Sequence, residues 1–180
     1  MKIYKVGIVG AGVIAEFHAR AFQEIGNARL VGICDTVRER AERLAARYSC
    51  RAYPGYEELF RDADLDLVTI ATPSGAHMEP AIAAARAGLH VICEKPLEVT
   101  LERIDRMIEA HRQAGTRLGG VFQNRFHDAL VPLRKAIQDG RLGTITYAGV
   151  YVPWWRGPAY YENSWHGTWK LDGGGALMNQ

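Results

Sequence analysis

Long apolar runs are missing from this chain. Its apolar runs, such as LVTIA at 67–71 and HVIC at 90–93, fall well short of the roughly 18 residues that a membrane helix needs, so no membrane association is expected. The opening MKIYKVGIVG has no signal-peptide layout, and a cytoplasmic location is the expectation. Cysteine is scarce: Cys34, Cys50 and Cys93 show no CxxC spacing and cannot all pair. They read as small buried hydrophobes rather than a disulfide framework or a ligand set, and no metal site is expected. An excess of one charge is lacking too. Lysine and arginine number 22 against 20 acidic residues, and the two signs are mixed along ERAERLAAR and LERIDRMIEAHR. Such segments are solvated helix faces, and the absence of a basic block speaks against a nucleic-acid partner. No internal repeat or low-complexity tract is evident.

What the sequence does have is alternation. Short β-branched runs recur with helix-like segments between them: YKVGIV, GVIAEFHARAFQEIG, ARLVGIC, VRERAERLAARY, DLVTIA, PAIAAARAGL, HVICE, LERIDRMIEAHRQAG and RLGGVF. Strands with little polar alternation suit a parallel sheet covered on both faces, and the order implies βαβ units, hence an α/β fold with a doubly wound parallel sheet. Gly26, Gly88 and Gly115 follow amphipathic runs and are expected as left-handed helix ends. After Asn124 the texture changes. The run ALVPLRKAIQDG predicts a helix with Pro132 near its first turn, and TITYAGVYV at 144–152 predicts an alternating strand. A long irregular segment at 153–175 then carries four tryptophans and a triple glycine. A domain boundary is expected near 122–124, giving a first domain over 1–122 and the start of an incomplete α+β open-sheet domain over 123–180.

The first strand runs directly into Gly10-Ala11-Gly12-Val13-Ile14-Ala15, a GxGxxA sequence opening a helix. Gly10 permits a tight turn, Gly12 lets a pyrophosphate approach the backbone, and Ala15 allows close packing of helix on strand, while Val13 and Ile14 bring helix N–H groups to the anion. Asp35 ends the second strand at about the 20-residue spacing where a carboxylate can take the ribose hydroxyls. A carboxylate there repels a 2′-phosphate, so NAD is expected rather than NADP. Arg38 lies close enough to soften that preference, although a solvated helix position is the simpler account. Together these define a dinucleotide-binding Rossmann unit.

Thr72 and Pro73 follow the strand DLVTIA at the carboxyl edge of the sheet, where they either wall the cofactor or form a plain turn capped by Ser74. His77 either reaches the nicotinamide region or sits on the surface, and the surface reading is preferred. At the end of the next strand, VICEKPL places Glu94, Lys95 and Pro96 on the same edge. A lysine there can relay a proton from a hydroxyl being oxidised and stabilise the alkoxide that forms. Its reference pKa of about 10.4 is high for a base near neutrality. Burial and an oxidised nicotinamide would lower it, and Glu94 would oppose them. Taken alone, such a strand-end pair is more often solvated edge decoration.

These residues resemble the Gfo/Idh/MocA family of NAD(P)-dependent sugar and cyclitol dehydrogenases. The similarity runs through GAGVIA with His18 downstream, Asp35, ATPSGAH, EKPL, QNRF and GGGALMNQ. It implies that Lys95 is the catalytic lysine, on a Lys95-Pro96 bond that is often cis in relatives, and that Glu94 belongs to the cofactor site. It also implies a cleft lined by Asn124 and Arg125. Trp154, Arg156 and Trp165, with Tyr160, Tyr161, His166 and Trp169 nearby, either offer stacking and a cation to a sugar or its phosphate, or form an anchored loop or oligomer interface.

The pattern departs in one place. Asn179 stands where many members carry an aspartate, and the histidine that follows in relatives would lie beyond Gln180. An amide orients a hydroxyl but is no general base at neutral pH. Asparagine here resembles the nucleotide-sugar branch. Relatives are longer, so the chain is expected to be a piece of a longer polypeptide that forms a homo-oligomer when complete. The expected function is hydride transfer between NAD and a hydroxyl carbon of a sugar, cyclitol or nucleotide-sugar. The alternative is a non-catalytic NAD-binding sensor of the same fold, and reduction of a non-sugar carbonyl or imine is a third reading.

Overall fold

The computed structural model describes residues 1–162 and 164–179; Gln180, the last residue of the GGGALMNQ match, lies outside them. Six parallel strands, β1 (Tyr4–Val9), β2 (Ala28–Cys34), β3 (Arg51–Tyr53), β4 (Leu67–Ile70), β5 (His90–Cys93) and β6 (Leu118–Gly120), form one sheet in the order β3-β2-β1-β4-β5-β6. The chain reverses its direction of winding between β1 and β4, and open α/β sheets bind ligands at that switch point, beyond the carboxyl ends of the strands.

Helices α1 (Val13–Glu24) and α2 (Arg38–Arg47) cover one face, where Ala15, Ala19, Phe22, Leu44 and Ala45 pack on Val6, Ile8 and Ile33. Helices α3 (Tyr56–Asp62), α4 (Met78–Arg86) and α5 (Leu101–Ala114) cover the other, where Leu59, Met78, Ala81, Ala84 and Met107 meet Val68, Ile70, Val91 and Cys93. Each fully buried aliphatic such as Ile8 or Leu59 contributes about 1.5–3 kcal/mol of transfer free energy, and together they fix the strand ends that carry the site. Helix α5 starts at Thr100, whose hydroxyl accepts the Arg103 N–H at 3.3 Å, and stops at left-handed Gly115. Burial pushes the Cys34 thiol up to about 12, and Cys93 moves the same way.

The structure corrects three expectations and adds two elements. Gly26 is not left-handed, because Ile25 has already left the helical region with φ −86 and ψ 105; Gly88 and Gly115 do have positive φ. Two short elements, β3 and α3, escape the periodicity because three and seven residues carry too little pattern. Coverage is one-sided at β5, where His90 and Ile92 are exposed while Val91 and Cys93 are buried. Residues 144–152 form no strand. A strand satisfies its backbone through a neighbour's ladder, none of the described residues supplies one, and Val150 is 88% exposed.

Beyond β6 come a 3-10 turn at Gln123–Phe126, α6 (Leu130–Gln138) with Pro132 in its first turn, and three one-turn helices, α7 (Pro158–Tyr161), α8 (Trp169–Asp172) and α9 (Ala176–Asn179). No helix among the described residues is long and apolar enough to cross a membrane.

Candidate active site

The glycine turn has the expected shape. Gly10 has φ +95, and a Cβ there would lie 2.7 Å from the Ala71 carbonyl oxygen; both facts require glycine. Gly12 precedes α1, and a Cβ on it would meet nothing within 4 Å, so space remains above the backbone for an anion. Val13 and Ile14 are exposed beside it while Ala15 is buried against the sheet. The Asp35 carboxylate is held by the turn itself, accepting the Ala11 N–H through Oδ2 and the Val37 N–H through Oδ1, each at 2.7 Å. Arg38 donates to Glu42 Oε1 at 2.6 Å, so its guanidinium is engaged along its own helix.

His77 is not on the surface. It is 1% exposed, with Nε2 2.9 Å from the Thr72 carbonyl oxygen and Nδ1 3.0 Å from that of Pro96. The ring therefore ties the turn after β4 to the turn after β5. Thr72 closes its own turn by donating to the Ala76 carbonyl at 3.0 Å, and Ser74 is buried. The expectation failed because an isolated histidine after a turn gives no sign of the backbone carbonyls that fold around it.

The Lys95-Pro96 peptide is cis. Glu94 does not pair with the lysine ammonium. Its Oε1 lies 2.8 Å from His18 Nε2, and its Oε2 accepts the backbone N–H of Lys95 at 3.1 Å. An ionised carboxylate only accepts, so His18 Nε2 donates to Glu94, and on the other side of the ring Nδ1 lies 2.9 Å from the Thr69 hydroxyl. Lys95 Nζ instead donates to Asn179, to the backbone oxygen at 2.5 Å and to Oδ1 at 3.0 Å. A cavity of about 370 Å³ opens between Lys95 and Phe122, Gln123, Asn124 and Arg125.

Asn179 reaches the lysine because α8 docks on the turn Ser74–Ala76. A Cβ on Gly75 would sit 2.1 Å from the Lys170 carbonyl oxygen, so glycine there is a condition of the docking. The following Gly173, Gly174 and Gly175 all have positive φ, at 68, 100 and 107, a succession that only glycine adopts without strain. This bend returns α9 toward the strand ends. Trp154, Arg156 and Trp165 do not line the cavity. The Arg156 guanidinium lies over the Trp154 and Tyr160 rings at 5.3 and 5.1 Å, and Trp165 stacks on His166 at 4.1 Å. Burial lowers the His166 pKa.

Two buried acids have no signal in the sequence. Glu98, 1% exposed, accepts from Met78 N–H at 3.3 Å and Val99 N–H at 2.7 Å, and pairs with Arg103 Nη2 at 2.9 Å. Asp172, 2% exposed, accepts from Asn179 Nδ2 and from the Gly167 N–H, each at 2.6 Å.

A glycine turn at the switch point, an acid closing it and a lysine on the adjacent strand end define a dinucleotide-binding α/β protein of the Rossmann class. The family described as "Oxidoreductase family, NAD-binding Rossmann fold" matches residues 4–121, and the GFO/IDH/MocA C-terminal domain matches residues 131–180. The chain belongs to the Gfo/Idh/MocA oxidoreductase family. It is 36% identical over 143 residues to inositol 2-dehydrogenase of Salmonella typhimurium, covering 77% of this chain and 43% of that protein. It is 35% identical to 1,5-anhydro-D-fructose reductase of Ensifer adhaerens, covering 96% and 52%. The solved WlbA dehydrogenase of Bordetella pertussis, in complex with NADH and UDP-GlcNAcA, superposes with a TM-score of 0.93 at 38% identity, covering 99% of this chain and 55% of that one. The chain thus spans about half the length of the relatives it matches. The open space above Gly12, the exposed start of α1 and the fixed Asp35 carboxylate fit the NAD that the family description names.

Proposed function

We propose that the protein carrying this chain moves hydride between NAD and a hydroxyl-bearing carbon of a sugar, cyclitol or nucleotide-sugar, with a nucleotide-sugar as the favoured substrate. The carrying observation is the placement of Lys95, which borders the cavity while Asn179 orients its ammonium. Gly10, Gly12, Val13, Ile14 and Asp35 hold the cofactor, and Thr72, Pro73 and Glu94 border it. When bound, NAD supplies the hydride acceptor.

An ammonium has three N–H donors, of which Asn179 takes two; the third is left for the substrate oxygen. In the reducing direction Lys95 gives that oxygen a proton as charge develops on it, and in the oxidising direction neutral Lys95 receives it. Asn124 and Arg125, across the cavity, orient the sugar. The finer choice of substrate rests on extent. By structure, the likeness to WlbA runs through 99% of the chain with a TM-score of 0.93, whereas a "putative myo-inositol dehydrogenase" from Sinorhizobium meliloti superposes over 78% with a TM-score of 0.72.

The test is NADH absorbance from full-length protein with a panel of UDP-linked N-acetylated uronic acids, free sugars, sugar phosphates and inositols. NADH formation specific to a UDP-sugar is the expected result. Preference for inositol overturns the substrate choice. NADH binding without turnover on any member overturns the enzyme and leaves a nucleotide sensor.

A further inference from the structure

Asp172 is a carboxylate with 2% exposure, and burying a charge is costly unless donors and a counter-charge compensate it. Its Oδ2 takes the Gly167 N–H and its Oδ1 takes Asn179 Nδ2, both at 2.6 Å. Across the same amide, Asn179 Oδ1 accepts from Lys95 Nζ at 3.0 Å. Asn179 therefore stands between a donor-only ammonium and an acceptor-only carboxylate, and those two neighbours leave its amide one orientation. Glu94, engaged by His18, and Arg125, across the cavity, also border the lysine.

We infer that Asp172 is a positioning residue for Lys95: it locks the Asn179 amide with its oxygen toward the ammonium and supplies the negative charge of that contact at one remove. The charge arithmetic makes this specific. One carboxylate and one amide satisfy the chain of hydrogen bonds. Two amides remove the acid that fixes the orientation, and two carboxylates 2.6 Å apart repel unless one takes up a proton. Position 179 tolerates an acid only if position 172 gives one up.

The experiment is an exchange cycle in the full-length protein: Asp172→Asn, Asn179→Asp, and both together. All three are close to isosteric, which keeps the fold in play. Two readouts are followed. The first is turnover, which rests on the dehydrogenase reading above. The second does not: the titration of Lys95 by NMR of ¹³Cε-labelled lysine, assigned with Lys95→Met. Expected are a fall in turnover of about tenfold or more in each single variant, with NADH affinity unchanged, and recovery to within about threefold of the parent in the double variant. The Lys95 midpoint falls in Asp172→Asn, because a neighbouring negative charge is lost, and in the double variant, which brings the carboxylate into direct contact with the ammonium, it rises to the parent's value or above it. A double variant as impaired as the product of the singles, or a Lys95 midpoint that ignores Asp172, overturns the inference. A parent with no turnover but with Lys95 coupled to Asp172 sinks the dehydrogenase reading and keeps this one.

Discussion

Removing the guanidinium of Arg103 should unsettle the turn that carries Lys95. Glu98 lies two residues past Pro96 with a fully buried side chain, and it joins three segments through the Met78 N–H, the Val99 N–H and Arg103. In Arg103→Leu the two backbone donors remain and the counter-charge goes. Stripping one partner from a buried ion pair costs about 3–5 kcal/mol. Arg103 is 27% exposed and also reaches solvent-facing Glu79, so water screens part of the charge and the low end, about 3 kcal/mol, applies. For a domain of this size that lowers Tm by roughly 6–12 °C at about 2–4 °C per kcal/mol. The assay is urea unfolding with calorimetry, on the parent, Arg103→Leu and Arg103→Leu/Glu98→Gln. The double variant should be the more stable of the two, because no unpaired charge stays buried. A loss below about 1 kcal/mol in Arg103→Leu, the size of a surface pair, would refute the reasoning, as would a double variant less stable than the single.

Two further outcomes follow from the geometry. Gly75→Ala places a methyl 2.1 Å from the Lys170 carbonyl, displacing α8 and with it the Asn179 contact to Lys95; turnover should drop by about tenfold or more with NADH binding retained, and parental kinetics would contradict the docking. His111, 2% exposed with Nδ1 2.7 Å from the Thr116 hydroxyl, has its pKa lowered by burial. The unfolded chain then takes up a proton first as pH falls through about 6.5, so its contribution to stability is present above that pH and lost below it. Denaturant unfolding across this range should show a shallower acid decline in His111→Gln, and an unchanged slope would count against it.

The sheet was legible because each long element repeats its pattern locally: GVIAEFHARAFQEIG shows its buried face at Ala15, Ala19 and Phe22, and Gly10 and Asp35 sit at a fixed spacing that chemistry dictates. Lys95 stood out as a charge where a strand ends, but its role came only from the family resemblance of EKPL. The partners of these residues were not legible. His18 meets Glu94 across 76 positions, and Lys95 meets Asn179 across 84, pairings that only the winding of the sheet brings about. Asp172 looks like any acid before a glycine run until α8 docks. Periodicity also misled at 144–152, because alternation states which faces a strand would have and not whether a neighbour exists to pair with it.

The most direct measurement is Lys95→Met in the full-length protein, read by NADH titration and by turnover on the best substrate of the panel. A proton-handling group contributes about 10²–10⁴-fold, so turnover should fall by that factor while the NADH dissociation constant stays within about threefold. Turnover equal to the parent's would remove Lys95 from the chemistry and the account with it.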